Sequence, residues 1–127
     1  MNEELIVASV NGNFNIVSKL LNKGAYVNAK NNSGETALIK ASEKGHKDIV
    51  DLLLTRGASV ETRDFYSRTP LHYAAAGGQG EVVELLLTKY SGNLNTPDYY
   101  DKTPLYYAAR NGHMDVVELL RQHGGHE

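Results

Sequence analysis

Apolar residues recur along the chain in short runs at helical spacing, and polar stretches rich in Gly, Asn, Asp and Thr separate them. Ile49, Val50, Leu52 and Leu53 form one run, Val82, Val83, Leu85 and Leu86 a second, and Val116, Val117, Leu119 and Leu120 a third. On a helix such positions share one side, so each run predicts a short helix that buries a single face. Asn15, Asp48, Glu81 and Asp115 stand at the starts of these helices. The three acids suit the positive end of the helix dipole. Gly24-Ala25, Gly57-Ala58 and Gly124 end them.

Another short helix precedes each of these. Thr36-Ala37-Leu38, Thr69-Pro70-Leu71 and Thr103-Pro104-Leu105 are spaced by 33 and 34 residues, and Leu5 precedes Leu38 by 33. Ala8, Ala41, Ala74 and Ala108 follow the leucines, and Gly12, Gly45, Gly78 and Gly112 come four residues later. A threonine oxygen can cap the free N–H groups of a helix start, and proline suits the first helical position because it has no N–H to satisfy. The glycines stop the helix by adopting the left-handed conformation. A period of this length marks stacked units. Four helix-turn-helix units are expected, at about residues 2–30, 31–63, 64–97 and 98–125. Val27 and Val60 lead into an extended segment and a hairpin loop between units. Helices this short are marginal alone, so the units must stack.

Asp64, Thr69-Pro70-Leu71-His72, Ala74-Ala75, Gly78, Val82-Val83 and Leu85-Leu86-Leu87 together resemble the ankyrin repeat, and the likeness runs from about residue 3 to residue 125. The resemblance implies an all-α solenoid of four stacked helix-turn-helix units with projecting β-hairpin loops. It also implies a concave face, made by hairpins and first helices, that grips a partner protein. The first unit lacks the Thr-Pro pair and starts in its helix, as N-terminal capping repeats of that family do. The last looks like an internal repeat. A longer parent protein, or weak self-association of a monomer through the C-terminal repeat, stays open. In the third unit Lys89-Tyr90-Ser91-Gly92-Asn93-Leu94 stands where the second has Arg56-Gly57-Ala58-Ser59-Val60. One residue is inserted, and a bulged turn is expected because loops tolerate insertion at small entropic cost.

Composition narrows the function classes. Without cysteine there is no disulfide, thiolate metal site or thiol nucleophile. A net charge of −2 gives no general reason to bind nucleic acid. The acidic start, Met1-Asn2-Glu3-Glu4, is unlike a signal peptide, and no apolar run reaches membrane-spanning length. A cytoplasmic or nuclear location is expected, which leaves the Asn31-Asn32-Ser33 sequon unused.

No phosphate loop, zinc helix or nucleophile elbow occurs, so neither a catalytic residue nor a cofactor is expected. His46, His72 and His113 read as hydrogen-bonding residues of the stack, and His123 and His126 as a tail pair without a third ligand. Asn28 and Asn95 fall where repeats of this family can be hydroxylated. Tyr26 replaces the acid found two positions before such an asparagine, so a role in the turn is expected for the amide.

Alignment of the units places Glu35, then Phe65, Tyr66 and Arg68, then Tyr99, Tyr100 and Lys102 at hairpin tips. Glu43, Lys44, Arg110 and Asn111 fall at first-helix ends along the concave side. Phe65-Tyr66 and Tyr99-Tyr100 lie 34 residues apart at equivalent places. Stacking brings these four rings together, either as packing over loop backbone or as a binding hot spot. Arg68, Lys102 and Arg110 beside them favour a partner segment carrying Asp or Glu. Tyr73, Tyr106 and Tyr107, on the first helices, read as core or half-buried. The module is thus expected to bind an unidentified protein. An engineered or truncated scaffold and a self-associating assembler are the alternatives; the irregular third unit and Ile39 at the signature histidine position speak for a natural sequence.

Overall fold

Thr36, Thr69 and Thr103 leave extended backbone to open the first helices of the second, third and fourth units. Each hydroxyl accepts from the N–H three residues on, at Ile39, His72 and Tyr106. A computed structural model describes residues 1–90 and 93–127. Its helices pair as α1 (Asn2–Asn11) with α2 (Phe14–Asn22), and α3 (Ala37–Lys44) with α4 (Lys47–Thr55). α5 (Pro70–Ala76) then pairs with α6 (Gly80–Thr88), and α7 (Pro104–Arg110) with α8 (Met114–Gln122). First helices pack on first helices in the order α1, α3, α5, α7, and second helices follow suit as α2, α4, α6, α8.

The core follows the period. Leu5, Leu38, Leu71 and Leu105 are buried, as are the alanines three residues on. Among the described residues no helix exceeds ten residues. Helices of that length gain their stability from such burial, not from propensity.

The turn glycines fix the spacing of the stack. Gly12, Gly45 and Gly78 have φ of 73, 78 and 69°. A Cβ on each would come within 2.8 Å of the His46 ring, 2.2 Å of the Gln79 amide and 2.6 Å of the His113 ring, all from the following unit. His46 Nε2 lies 3.0 Å from the Val10 carbonyl, and Gln79 Nε2 donates to the Glu43 carbonyl at 3.1 Å. These side chains thus lie over the preceding glycine, and two of them bond to its helix. Gly112, at φ 78°, has no such neighbour. Gly78→Ala should cost about 2 kcal/mol or more, and Gly112→Ala only the roughly 1–2 kcal/mol of the left-handed backbone. Urea unfolding of the two variants checks this; equal losses would show that the His113 contact contributes nothing.

Among the described residues there is no strand. The loops between units project as turns, because each is closed by only two backbone bonds around one tight bend: Asn31 N–H to Glu35 and Gly34 N–H to Asn31, Asp64 N–H to Arg68 and Ser67 N–H to Asp64, and Asp98 N–H to Lys102 and Asp101 N–H to Asp98. A ladder needs a succession of such bonds. The bulged turn expected at the one-residue insertion of the third unit falls on Ser91 and Gly92, which lie outside the described residues. Before them, Lys89 and Tyr90 reach back to the Asp51 carboxylate at 2.9 and 2.7 Å.

The two ends of the stack differ. Ile16 is 44% exposed, whereas Ile49, Val82 and Val116 at the same register position are at most 1% exposed because a preceding unit covers them. At the other end Arg121 stands where the third unit buries Leu87. The end expected to be open to self-association therefore carries a charge at that position, and Val7, Phe14 and Ile16 gather exposed apolar surface on the first unit instead.

Candidate protein-binding face

The three fingers between units share one construction. Asn31, Asp64 and Asp98 each use Oδ1 to accept two backbone N–H groups, from Ser33 and Glu35, Tyr66 and Arg68, and Tyr100 and Lys102, all at 2.9 Å. A carboxylate or amide so placed mimics a turn of backbone. The turn needs a left-handed residue, filled by Gly34, Ser67 and Asp101. Neighbouring fingers are joined through backbone: Phe65 N–H donates to the Ser33 carbonyl at 3.2 Å and Tyr99 N–H to the Tyr66 carbonyl at 2.8 Å. Phe65 also lies over Gly34, where a Cβ would meet its ring at 2.6 Å.

This scaffold brings three of the four aromatic tips together, Tyr66, Tyr99 and Tyr100, while Phe65 packs over the preceding finger. Tyr66 and Tyr100 stack with centroids 6.2 Å apart, and Tyr99 meets Tyr100 edge-on at 5.4 Å. The Arg68 guanidinium lies 5.2, 5.8 and 5.6 Å from the ring centres of Tyr66, Tyr100 and Tyr107. It is held from below by Asp98, whose Oδ2 accepts from Arg68 Nε at 3.5 Å and from the Tyr107 hydroxyl. One unit earlier Asp64 accepts from the Tyr73 hydroxyl in the same way. Burial alone would raise the Asp98 pKa; the Tyr107 hydroxyl and the Lys102 and Tyr100 N–H groups outweigh it and hold the carboxyl below its ordinary range. Burial, then Asp64 and Asp98 respectively, push the Tyr73 and Tyr107 hydroxyls up. Both tyrosines are neutral donors.

His72 locks the third finger to α5. The Thr69 N–H donates to Nδ1 at 3.1 Å, so Nε2 carries the proton and donates to the Lys102 carbonyl at 2.9 Å. Burial pushes its pKa down, with the bond to Lys102 opposing. The buried ring is therefore a neutral strut.

Two hollows open beside Arg68. One, of about 80 Å³, is lined by Arg68, His72, Tyr73, Ala76 and Tyr107. The other, of about 350 Å³, is lined by Arg68, Tyr100, Lys102, Tyr106, Tyr107 and Arg110. Lys102 Nζ sits 4.5 Å above the Tyr106 ring. Among the described residues neither Lys102 nor Arg110 has an ion-pair partner.

The residues expected at the site divide accordingly. Phe65, Tyr66, Arg68, Tyr99, Tyr100, Lys102 and Arg110 lie on the second and third fingers and the end of α7. Glu35 and Glu43 are drawn to Lys40, at 3.5 and 2.9 Å. Lys44 is exposed at the end of α3. Asn111 donates to the Ala76 carbonyl at 2.8 Å, which ties α7 to α5. Tyr73 and Tyr107, read as helix residues, also line the face. Their register position, shared with Val7 and Lys40, was the available signal, since every unit presents it to the same side.

Asn28 and Asn95 link successive loops, with Nδ2 donating to the Gly57 and Gly124 carbonyls and Oδ1 accepting from Ser59 and His126 N–H. The tail containing His126 is held by that bond and by Thr103, whose hydroxyl donates to the His126 carbonyl. No helix among the described residues is long and apolar enough to cross a membrane.

A family model described as ankyrin repeats in three copies matches residues 4–64 and again 63–127. No curated protein matches the chain.

Proposed function

The chain belongs to the ankyrin-repeat family, whose repeats are generally protein–protein interaction modules, and from that premise we propose that it binds a partner protein on its concave face. The centre of that face is the second and third fingers with α5 and α7; Glu35, Glu43, Lys44 and Asn111 stand at its margin. One observation carries the reading. Phe65, Tyr66, Tyr99 and Tyr100 remain 68, 49, 73 and 53% exposed on two fingers that are bonded to each other. Tyrosine offers a large amphipathic surface with few rotatable bonds, so rings already held in place lose little entropy when a partner covers them.

Replacing Tyr66, Tyr99 and Tyr100 together with Ser tests it. The rings pack chiefly on one another and on Arg68, so the loss of stability should stay near 1 kcal/mol. Affinity for a partner should fall by at least about 2 kcal/mol, as at an interface hot spot. Thermal melting and a binding titration read the two effects separately. Unchanged affinity would move the site off these fingers.

A further inference from the structure

The occupant of this face can be specified from its charges and its shape; the inference rests on the concave-face reading above. Asp64 and Asp98 are buried and committed to their own fingers, where they accept backbone N–H groups and the Tyr73 and Tyr107 hydroxyls. Glu35 and Glu43 are matched by Lys40. The charged groups that line the larger hollow are all cations: Arg68, with its carboxylate partner beneath it, and Lys102 and Arg110, with none among the described residues. A chain with a net charge of −2 therefore presents a positive groove, walled by Tyr100, Tyr106 and Tyr107.

The smaller hollow adjoins it, since Arg68 and Tyr107 line both. Its volume of about 80 Å³ exceeds several-fold the roughly 10–15 Å³ a single water needs. The Ala76 methyl and the Tyr73 and Tyr107 rings give it apolar walls. It has room for one aliphatic side chain.

We propose that the groove takes an acidic linear segment of a partner protein, with Asp or Glu carboxylates against Lys102 and Arg110 and a neighbouring aliphatic side chain seated between Tyr73 and Tyr107. Aromatic walls exclude water from the ion pairs and strengthen them. Complementary charge speeds encounter and rejects basic segments.

The test is a phage-displayed library of random linear peptides panned against the intact chain, followed by synthesis of an enriched peptide for fluorescence anisotropy. Enrichment of Asp and Glu next to an aliphatic residue is expected. The double variant Lys102→Glu, Arg110→Glu should bind that peptide at least about tenfold more weakly and, when panned itself, should select basic peptides. Ala76→Leu fills the small hollow without changing charge, and it should also weaken binding about tenfold, as the loss of a buried aliphatic contact does. Melting curves of each variant exclude loss of fold.

Enriched peptides without acidic bias that still need Tyr66, Tyr99 and Tyr100 would overturn the acidic occupant and leave the face standing. Peptides indifferent to both sets of substitutions would overturn both. No enrichment, or acidic peptides that bind the double variant as well as the parent, would also overturn the proposal.

Discussion

Leu71→Ala is expected to unfold most of the chain under conditions where the parent is native, with a loss of about 2–5 kcal/mol. Leu71 is buried in α5, which packs against α3, α6 and α7. Removing its side chain leaves a cavity that short capped helices cannot close by shifting, because Thr69 and Pro70 fix the start of α5 and the turn glycine fixes its end. The cost also spreads, since a stack derives its stability from neighbouring interfaces and α5 contributes to two of them. Small domains are stable by only about 5–15 kcal/mol in total. Urea unfolding followed by circular dichroism measures the loss. A change below about 1 kcal/mol would mean that the leucine ladder is not the core.

Asp98→Ala should cost nearly as much, about 3 kcal/mol, although the residue lies in a loop. Its side chain is fully buried and serves four donors: the Tyr100 and Lys102 N–H groups, the Tyr107 hydroxyl and Arg68 Nε. Removing one partner of a buried, hydrogen-bonded charge leaves the others unsatisfied. Arg68 is partly exposed and recovers some solvation, which keeps the loss at the lower end of such cases. The pH dependence has a definite sign. With its pKa depressed in the fold, Asp98 contributes stability above the ordinary carboxylate value of 3.8, and that contribution disappears as pH falls through the folded value. Asp98→Asn retains an oxygen for the two N–H groups, should cost less at neutral pH, and should lack this acid-sensitive component. If Asp98→Ala unfolds like the parent, the third finger is held by something else.

These two residues mark what was legible in the sequence. Leu71 stood out because Thr-Pro-Leu recurs at a fixed period and the cap, the first-turn proline and the glycine stop all agree on one helix. Tyr66 and Tyr100 were legible as neighbours for the same reason, since a shared register position becomes a shared place in the stack. Asp98 was not. A carboxylate in a polar loop looks solvated until the chain is folded, and nothing in Pro97-Asp98-Tyr99 shows that two N–H groups and a hydroxyl from α7 close over it. Tyr107 was hidden differently, as a half-buried helix residue whose hydroxyl turns to the finger. Ion pairing among long side chains could not be read either. Glu35 and Glu43 were read as part of the binding face, but Lys40, between them in sequence, takes both. At the end of the stack the run Val116, Val117, Leu119 and Leu120 looked internal, and the one charge in the register of Leu87, at Arg121, comes just after it.

The central claim is that the partner docks where the fingers and first helices meet, and amide hydrogen exchange of the chain with and without bound partner tests it most directly. New protection is predicted at residues 64–68 and 98–102 and at the ends of α5 and α7, with α2, α4, α6 and α8 unchanged. Protection confined to those second helices, with the two fingers exchanging as in the free chain, would contradict it.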